Sequence, residues 1–440
     1  MQTVKLFKRT AALFAAIAVA AVSAAVAAFA DGAPLGSGTE ADPYIVKSGA
    51  ELAAIGGSEN GVGYITLAND IDLSAYQGQT CIIKKLTGKL DGAGHKITGL
   101  SLKGGKGTWA ATILTGLIGE LSGNVENLTI SDAVITGANS SNYVGTLAAY
   151  IPQNSTVNIK NCTVTGEIKN ATKSGNYIGA FIGRAAGYAP YNQPENNEPV
   201  SLSFDGCISN VKIDCSSSMY HGGLLGYATT LCNVTVSRCA VLGDINASRY
   251  ACGIVGSYSG TFNITLADSY FGGKLGGINT YGIAYSYSSP TAVTCSNFYY
   301  DKTKNGTLDG LVKYKTESDV PGATGVRTAE IMALASTLDG FEASGEFGGY
   351  PVPKQQTAAA FSVTVDGSNV NVTAAKAGSY SLVLASYFGD ALADVQIQTV
   401  AFANDGDGQT VSVPDGFTAD GRTFRAMLWS GMCPLAKSNN

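Results

Sequence analysis

A short motif recurs along the middle of the chain and constrains its fold more than any other feature. It reads Gly116-Leu-Ile-Gly119, Gly145-Thr-Leu-Ala-Ala149, Gly179-Ala-Phe-Ile-Gly183, Gly222-Gly-Leu-Leu-Gly226, Cys252-Gly-Ile-Val-Gly256 and Tyr281-Gly-Ile-Ala-Tyr285, at intervals of about thirty residues. A second mark follows each copy. From Ala149 to Cys162, Gly226 to Cys239, Gly256 to Ser269 and Tyr285 to Phe298 the gap is 13 residues, and from Gly119 to Ala133 it is 14. The segments between marks alternate: Val157-Asn-Ile159, Val234-Thr-Val236 and Ile264-Thr-Leu266 each put apolar side chains on one face only. One such coil cannot bury its own apolar face. Stacking coils buries a continuous interior and pairs each strand with its copy ~4.8 Å away. The fold expected is therefore all-β, a right-handed parallel β-helix (solenoid). Equivalent residues must then stack, and Ala133, Cys162, Cys207, Cys239, Ser269 and Phe298 are expected to form one column.

A solenoid needs covered ends, because terminal coils otherwise expose apolar surface and open strand edges. Ser48-Gly-Ala-Glu51 is a capping box that opens a short helix holding Leu52 and Ile55, expected as the N-terminal cap. Thr328 starts a second helix with Ile331, Leu334 and Leu338 on one face, stopped by Gly340 and expected as the C-terminal cap. From Phe361 the pattern changes to two-residue alternation over about eighty residues, with some seven short strands. That pattern predicts a small β-sandwich.

The first residues have the layout of an export signal. Lys5, Lys8 and Arg9 precede an Ala-rich apolar run, and Ala28-Phe29-Ala30 supplies small residues for cleavage. The expected organisation is a signal peptide at 1–30, the β-helix at 31–353, a linker at 354–359 and the β-sandwich at 360–440. No later run approaches the ~18 apolar residues of a spanning helix, so no membrane span is expected after cleavage. The full chain carries a formal charge of −5 and no basic cluster, which argues against nucleic acid as a partner.

Nine cysteines in an exported chain raise the question of disulfides. The inward column predicts free thiols at Cys162, Cys207 and Cys239, because parallel stacked side chains have the wrong dihedral for a bridge. With two histidines, His95 and His221, and no Cys-x-x-Cys, no metal site or cofactor is expected.

Several segments resemble a known class. Gly36-Ser-Gly-Thr-Glu-Ala-Asp-Pro-Tyr-Ile-Val46, Asn69-Asp-Ile-Asp-Leu-Ser74, Leu90-Asp-Gly-Ala-Gly-His-Lys-Ile97 and the repeated Gly-Leu-Ile-Gly motif look like bacterial cell-surface proteins with GLUG repeats. The ending Phe424-Arg-Ala-Met-Leu-Trp429 followed by Met432-Cys-Pro-Leu435 resembles C-terminal modules of clostridial-type secreted proteins. The first resemblance implies a right-handed β-helix in an extracellular setting, adhesin-like, and no single activity.

Candidate chemistry is sparse. Parallel β-helices host polysaccharide lyases and glycoside hydrolases, which need paired carboxylates or acidic calcium ligands with a base. Asp70 and Asp72 form the closest acidic pair, and a turn or cap role explains them. His95 lies in the Asp-Gly-x-Gly-His turn, and His221 adjoins a repeat glycine without an acidic neighbour. A tyrosine group in the last coil, Tyr281, Tyr285, Tyr287, Tyr299 and Tyr300, reads as core packing and end capping. One feature departs from the repeat: Gly183 to Cys207 is 24 residues where other coils have 13. The extra length falls within Arg184–Val200, a loop expected to project from one flank, where insertions tend to bind. Within it, Tyr188 and Tyr191 can stack on sugar rings while Asn192, Gln193 and Glu195 bond hydroxyls. The leading expectation is a secreted surface or adhesion protein without catalysis, whose partner is an extracellular polymer, glycan or surface protein. The alternatives are a polysaccharide lyase or glycoside hydrolase, and a spacer that displays the C-terminal module.

Overall fold

The computed structural model describes residues 34–440 except 109–111, 138–141, 171–175, 187–198, 216–217, 230, 261, 287–291, 356–360, 367, 375–377, 390, 404–405, 419–420, 431–432 and 439–440. The chain packs as two compact units, the larger spanning Lys47–Thr357.

The larger unit is a parallel β-helix. Ser155–Lys160, Val200–Asp205, Cys232–Ser237, Phe262–Phe271 and Ala292–Asp301 pair in parallel, coil on coil. Register follows the alternation read from the sequence. Ile159, Phe204, Val236 and Leu266 stack as one buried column. The outward positions of the same strands carry Asn158, Ser203, Thr235, Thr265 and Thr294, a polar ladder along that flank.

Each of these strands runs into a sharp corner, which in the last two lies within the strand. Asn127, Asn161, Gly206, Arg238, Asp268 and Asn297 all hold φ between 44° and 65°, and Asn297 Nδ2 donates to Asp268 Oδ1 at 2.8 Å. Asn, Asp and Gly enter the left-handed region at least cost. The residue after each corner points inward. There the expected column is found with one correction: Cys162, Cys207, Cys239, Ser269 and Phe298 stack, but the position below Cys162 is Leu128, not Ala133. Ala133 pairs with Gly166 instead, beyond a register shift at Val164/Gly166. The 14-residue gap to Ala133 was thus a coincidence of length, since the first regular coil turns its corner earlier and adds a bulge later.

The described cysteines carry no disulfide. Cys162, Cys207 and Cys239 are buried, and their Sγ atoms lie 3.1–3.7 Å from backbone carbonyls. Burial pushes the Cys162 and Cys239 thiols well above their ordinary pKa, which makes them unreactive. Native protein is therefore expected to react slowly with Ellman's reagent at these sites, and unfolding without reductant to expose the eight described thiols. An unreduced, unfolded chain with no titratable thiol would contradict this.

The two expected caps fare differently. Ser48 caps the helix Gly49–Gly56 by accepting from Glu51 N at 3.3 Å, and Leu52 is fully buried. Glu51 accepts from Lys47 N rather than from Ser48 N, so the box closes one residue early. The helix Thr328–Ala333 lies on the flank instead of across the end. Ile331, Leu334, Leu338, Phe341 and Val352 pack on Ile208, Ala240, Leu242 and Tyr270, which come from successive coils. The reason is local: Ile208, Ala240 and Tyr270 leave an apolar stripe outside the solenoid, and the returning chain covers it. The Tyr270 hydroxyl donates to Pro351 O at 2.5 Å and ties the segment down.

The C-terminal module has the expected two antiparallel sheets. One joins Ser362–Asp366, Asn369–Thr373 and Gly408–Ser412; the other orders Ala391–Phe402, Gly378–Phe388, Arg422–Ser430 and Cys433–Lys437. Val363, Val370, Leu382, Leu384, Phe402, Phe417 and Leu428 form the core between them. Among the described residues of the whole chain, no helix is long and apolar enough to cross a membrane.

Candidate functional site

The repeat motif builds a second, tighter corner. Asn142–Gly145 runs in and Ala148–Ile151 runs out, and copies of each pair in parallel with the coils on either side. A Cβ on Gly145 would lie 2.3 Å from Ala148 O and 2.5 Å from Phe181 O; one on Gly183 would lie 2.4 Å from Val144 N. Backbone meets backbone there, so the absence of a side chain at Gly145 and Gly183 is a packing requirement.

Tyrosines flank this glycine contact. Tyr143, Tyr177, Tyr220 and Tyr250 form one column, each two residues before the first repeat mark. The column of residues that directly follow each motif copy runs Glu120, Tyr150, Arg184, Tyr227, Ser257. The two columns meet as a seam. Ring centroids are 5.7 Å apart for Tyr143 and Tyr150, 4.2 Å for the stacked pair Tyr177 and Tyr227, and 3.8 Å for Tyr250 and Tyr285. Tyr143, Tyr150, Tyr177 and Arg184 are half-buried, whereas Tyr220, Tyr227, Tyr250 and Tyr285 are 5–9% exposed. The seam is therefore more open at its earlier coils.

Arg184 sits in that open part. Its guanidinium donates to the Tyr143 hydroxyl and lies 4.9, 5.8 and 5.9 Å from the ring centroids of Tyr143, Tyr177 and Tyr227. Such contacts favour a planar, weakly hydrated cation. Burial pushes the Tyr150 hydroxyl up and that of Tyr281 to about 12, so both stay protonated near neutrality. The seam can thus offer ring edges, hydroxyls and one oriented guanidinium.

Arg184 also stands next to the insertion. Arg184 and Ala185 belong to the strand Ile182–Ala185, and Val200 opens the strand Val200–Asp205, so these three are strand residues and the inserted sequence falls between them, at 186–199. Register confirms the extra length: Ile151 to Ser155 and Ala228 to Cys232 are four-residue steps, while Ala185 to Val200 is fifteen. Tyr188, Tyr191, Asn192, Gln193 and Glu195 lie outside the described residues.

The other candidates resolve into structural roles. Asp72 Oδ1 accepts from Ser74 N at 2.8 Å, and Asp70 Oδ1 accepts from Lys96 N at 3.1 Å and faces His95 Nδ1 at 3.4 Å. Asp91 of the Asp-Gly-x-Gly-His turn accepts from Ala93 N and Asn127 Nδ2. Among the described residues no three His, Cys, Asp or Glu side chains gather to hold a metal ion.

His221 is buried between Ile178 and Ala251 in a column and bonds Asn246 O through Nδ1 at 3.0 Å. Burial lowers its pKa to about 4, against ~6.5 in an unfolded chain. Between those values the unfolded state binds the extra proton. Stability from this group is therefore complete above about pH 6.5 and falls as pH drops toward 4, by on the order of 3 kcal/mol. Denaturant titrations at pH 7, 5.5 and 4 should show that slope in wild type and a flatter one in His221→Leu. Equal slopes would contradict the assignment.

Comparison with known proteins gives a fold and little more. No protein-family model matches the chain. Halomucin from Haloquadratum walsbyi is 37% identical over 139 residues, which is 28% of this chain, and the match spans only 2% of halomucin's length. The crystal structure of a candidate immunoglobulin A1 protease from Bacteroides ovatus superposes with a TM-score of 0.52 at 18% identity, over 73% of this chain and 95% of that one. The chain is similar to that structure in fold, and its main body is a parallel β-helix.

Proposed function

We propose that this chain is an exported, surface-associated binding protein that holds an extracellular glycan against the flank of its β-helix and does not transform it. The observation that carries the reading is the open end of the tyrosine seam, with Arg184 oriented by three rings immediately before the 186–199 insertion. A rigid sheet corner positions aromatic side chains and donors, and the extra residues that follow in sequence supply further tyrosines and amides. In this reading Tyr188 and Tyr191 stack on sugar rings, and Asn192, Gln193 and Glu195 bond hydroxyls. Residues 1–30 serve as the export signal, 31–353 as the GLUG-like solenoid, 354–359 as a linker and 360–440 as a clostridial-type module.

The test is a glycan array followed by pull-down on soluble cell-surface polymers. Wild type is expected to retain at least one polymer, and deletion of 187–198 to weaken it by about tenfold, or ~1.4 kcal/mol. Reducing-sugar release should stay at background. A protein that binds no polymer, with the deletion indistinguishable from wild type, would end this reading. Product release would turn it toward a polysaccharide-active enzyme.

A further inference from the structure

Three cations sit on the tyrosine seam, and among the described residues none of them is salt-bridged to a carboxylate. Arg184 is cradled by Tyr143, Tyr177 and Tyr227. Arg249 lies 5.3 Å from the Tyr250 ring centroid, and Lys313 lies 5.1 Å from that of Tyr285. The nearby acids are engaged elsewhere. Glu120, in the same column as Arg184, pairs with Lys85 at 2.8 Å, and Asp309 accepts from Thr280 N at 2.6 Å. Elsewhere on the solenoid, cations such as Lys89 and Arg238 do have carboxylate partners. A chain with a net charge of −5 thus keeps three cations without a salt bridge beside these tyrosines.

Their spacing along the solenoid is regular. Tyr177, Tyr220, Tyr250 and Asn279 occupy successive coils, and Tyr281 pairs with Gly310 in the next. Arg184 belongs to the coil of Tyr177, Arg249 precedes Tyr250, and Lys313 follows the strand Gly310–Val312. Each cation is therefore two coils from the next, ~10 Å along the solenoid axis.

We infer that the seam recognises an anionic polysaccharide, extended along the solenoid, whose acidic groups meet Arg184, Arg249 and Lys313 in turn. This rests on the glycan-binding reading above and specifies its ligand class. A polymer with an acid on every second sugar presents charge at a repeat of the same order. Nucleic acid fits less well, because its phosphates recur every ~3.4 Å along a strand. Arg184 is the best-built subsite. Its guanidinium is cradled by three rings and bonded to the Tyr143 hydroxyl, and its planar fork suits bidentate recognition of carboxylate or sulfate. The exposed Arg249 and half-exposed Lys313 add charge along the track.

The test uses the full chain and four kinds of probe: hyaluronan as a carboxylate polymer, its carboxyl-reduced form as the neutral match, chondroitin sulfate as the sulfated arm, and poly-glutamate with single-stranded DNA as non-saccharide polyanions. Affinity is read by biolayer interferometry at low and physiological salt. Hyaluronan or chondroitin sulfate is expected to bind about tenfold tighter than the neutral match. Arg184→Gln should remove that preference, Arg184→Lys should restore little of it, and salt should weaken it. Chondroitin sulfate carries the same uronate carboxylate plus a sulfate, so tighter binding than hyaluronan adds sulfate to the groups read, and equal binding leaves the carboxylate as the group read. Arg249→Gln and Lys313→Gln, at more exposed positions, give a graded loss even where Arg184→Gln disturbs folding. Equal binding of acidic and neutral polymers, unchanged in the three variants, would overturn the inference and leave the glycan reading standing. No polysaccharide bound at all, or tighter binding of poly-glutamate or DNA, would overturn both.

Discussion

Gly222→Val is expected to abolish stable folding of the solenoid. A Cβ at that position would lie 2.1 Å from Leu225 O and 2.4 Å from Gly256 N. Both obstacles are backbone atoms in paired strands, so no side chain can swing aside. Moving the Gly222 strand instead would break its own parallel pairing with the coils on both sides, at Gly179 and Cys252. The cost should exceed ~4 kcal/mol, the range reserved for core overpacking and backbone clash. Gly345 is the control. It has open space around it, and Gly345→Ala should change stability by less than ~0.5 kcal/mol. Circular dichroism melts of the two variants decide the matter. A Gly222→Val protein that melts with wild type would mean the corner is looser than the geometry requires.

Phe204→Ala is expected to be nearly as damaging for a different reason. Phe204 is fully buried, stacks between Ile159 and Val236, and meets Phe181 edge-to-face at 5.6 Å. Removing the ring opens a cavity that the stacked neighbours cannot close without losing register, and ~3–5 kcal/mol is the usual loss. Cys207→Ala, three residues on in the next column, removes one sulfur atom and should cost only about 1 kcal/mol. Denaturant midpoints with unchanged slopes would show that stability alone has changed. Equal losses for the two variants would argue against a packed interior at Phe204.

The residue pattern carried most of the solenoid. Alternation at Val157–Ile159 and its copies set the inward face, and the repeat glycines marked the tight corner. What the pattern could not carry was the path between marks. Ala133 matched by counting, yet only the pairing of Thr163 with Thr129 shows that Leu128 fills the column. The second helix had the right apolar face, but sequence does not say which stripe of a solenoid that face will cover.

The seam was hidden for another reason. Its tyrosines stand two residues before the first repeat mark, at 143, 177, 220 and 250, a periodic signal present in the sequence. One tyrosine per coil is a weaker local signal than the repeat glycines or the aromatic cluster near Tyr281 and Tyr285. The latter two do pack in the closed part of the seam, with Tyr220, Tyr250 and Cys252. Residue counting alone leaves Arg184 inside the insertion, whereas pairing with Tyr150 and Tyr227 places it on a strand.

Every statement about the seam follows from parallel, in-register stacking, so that register is the claim to measure. Thr235 and Thr265 are exposed and paired, and Thr294 pairs with Thr265 one coil further on. Nitroxide labels on Thr235→Cys with Thr265→Cys, and on Thr235→Cys with Thr294→Cys, report the spacing directly, with wild type correcting for native thiols. The first pair is expected ~5 Å apart and the second ~10 Å. The electron paramagnetic resonance spectra should therefore show strong spin–spin broadening for the first pair and weaker broadening for the second. A first-pair spectrum equal to the sum of its two singly labelled spectra would contradict the coil register, and with it the seam.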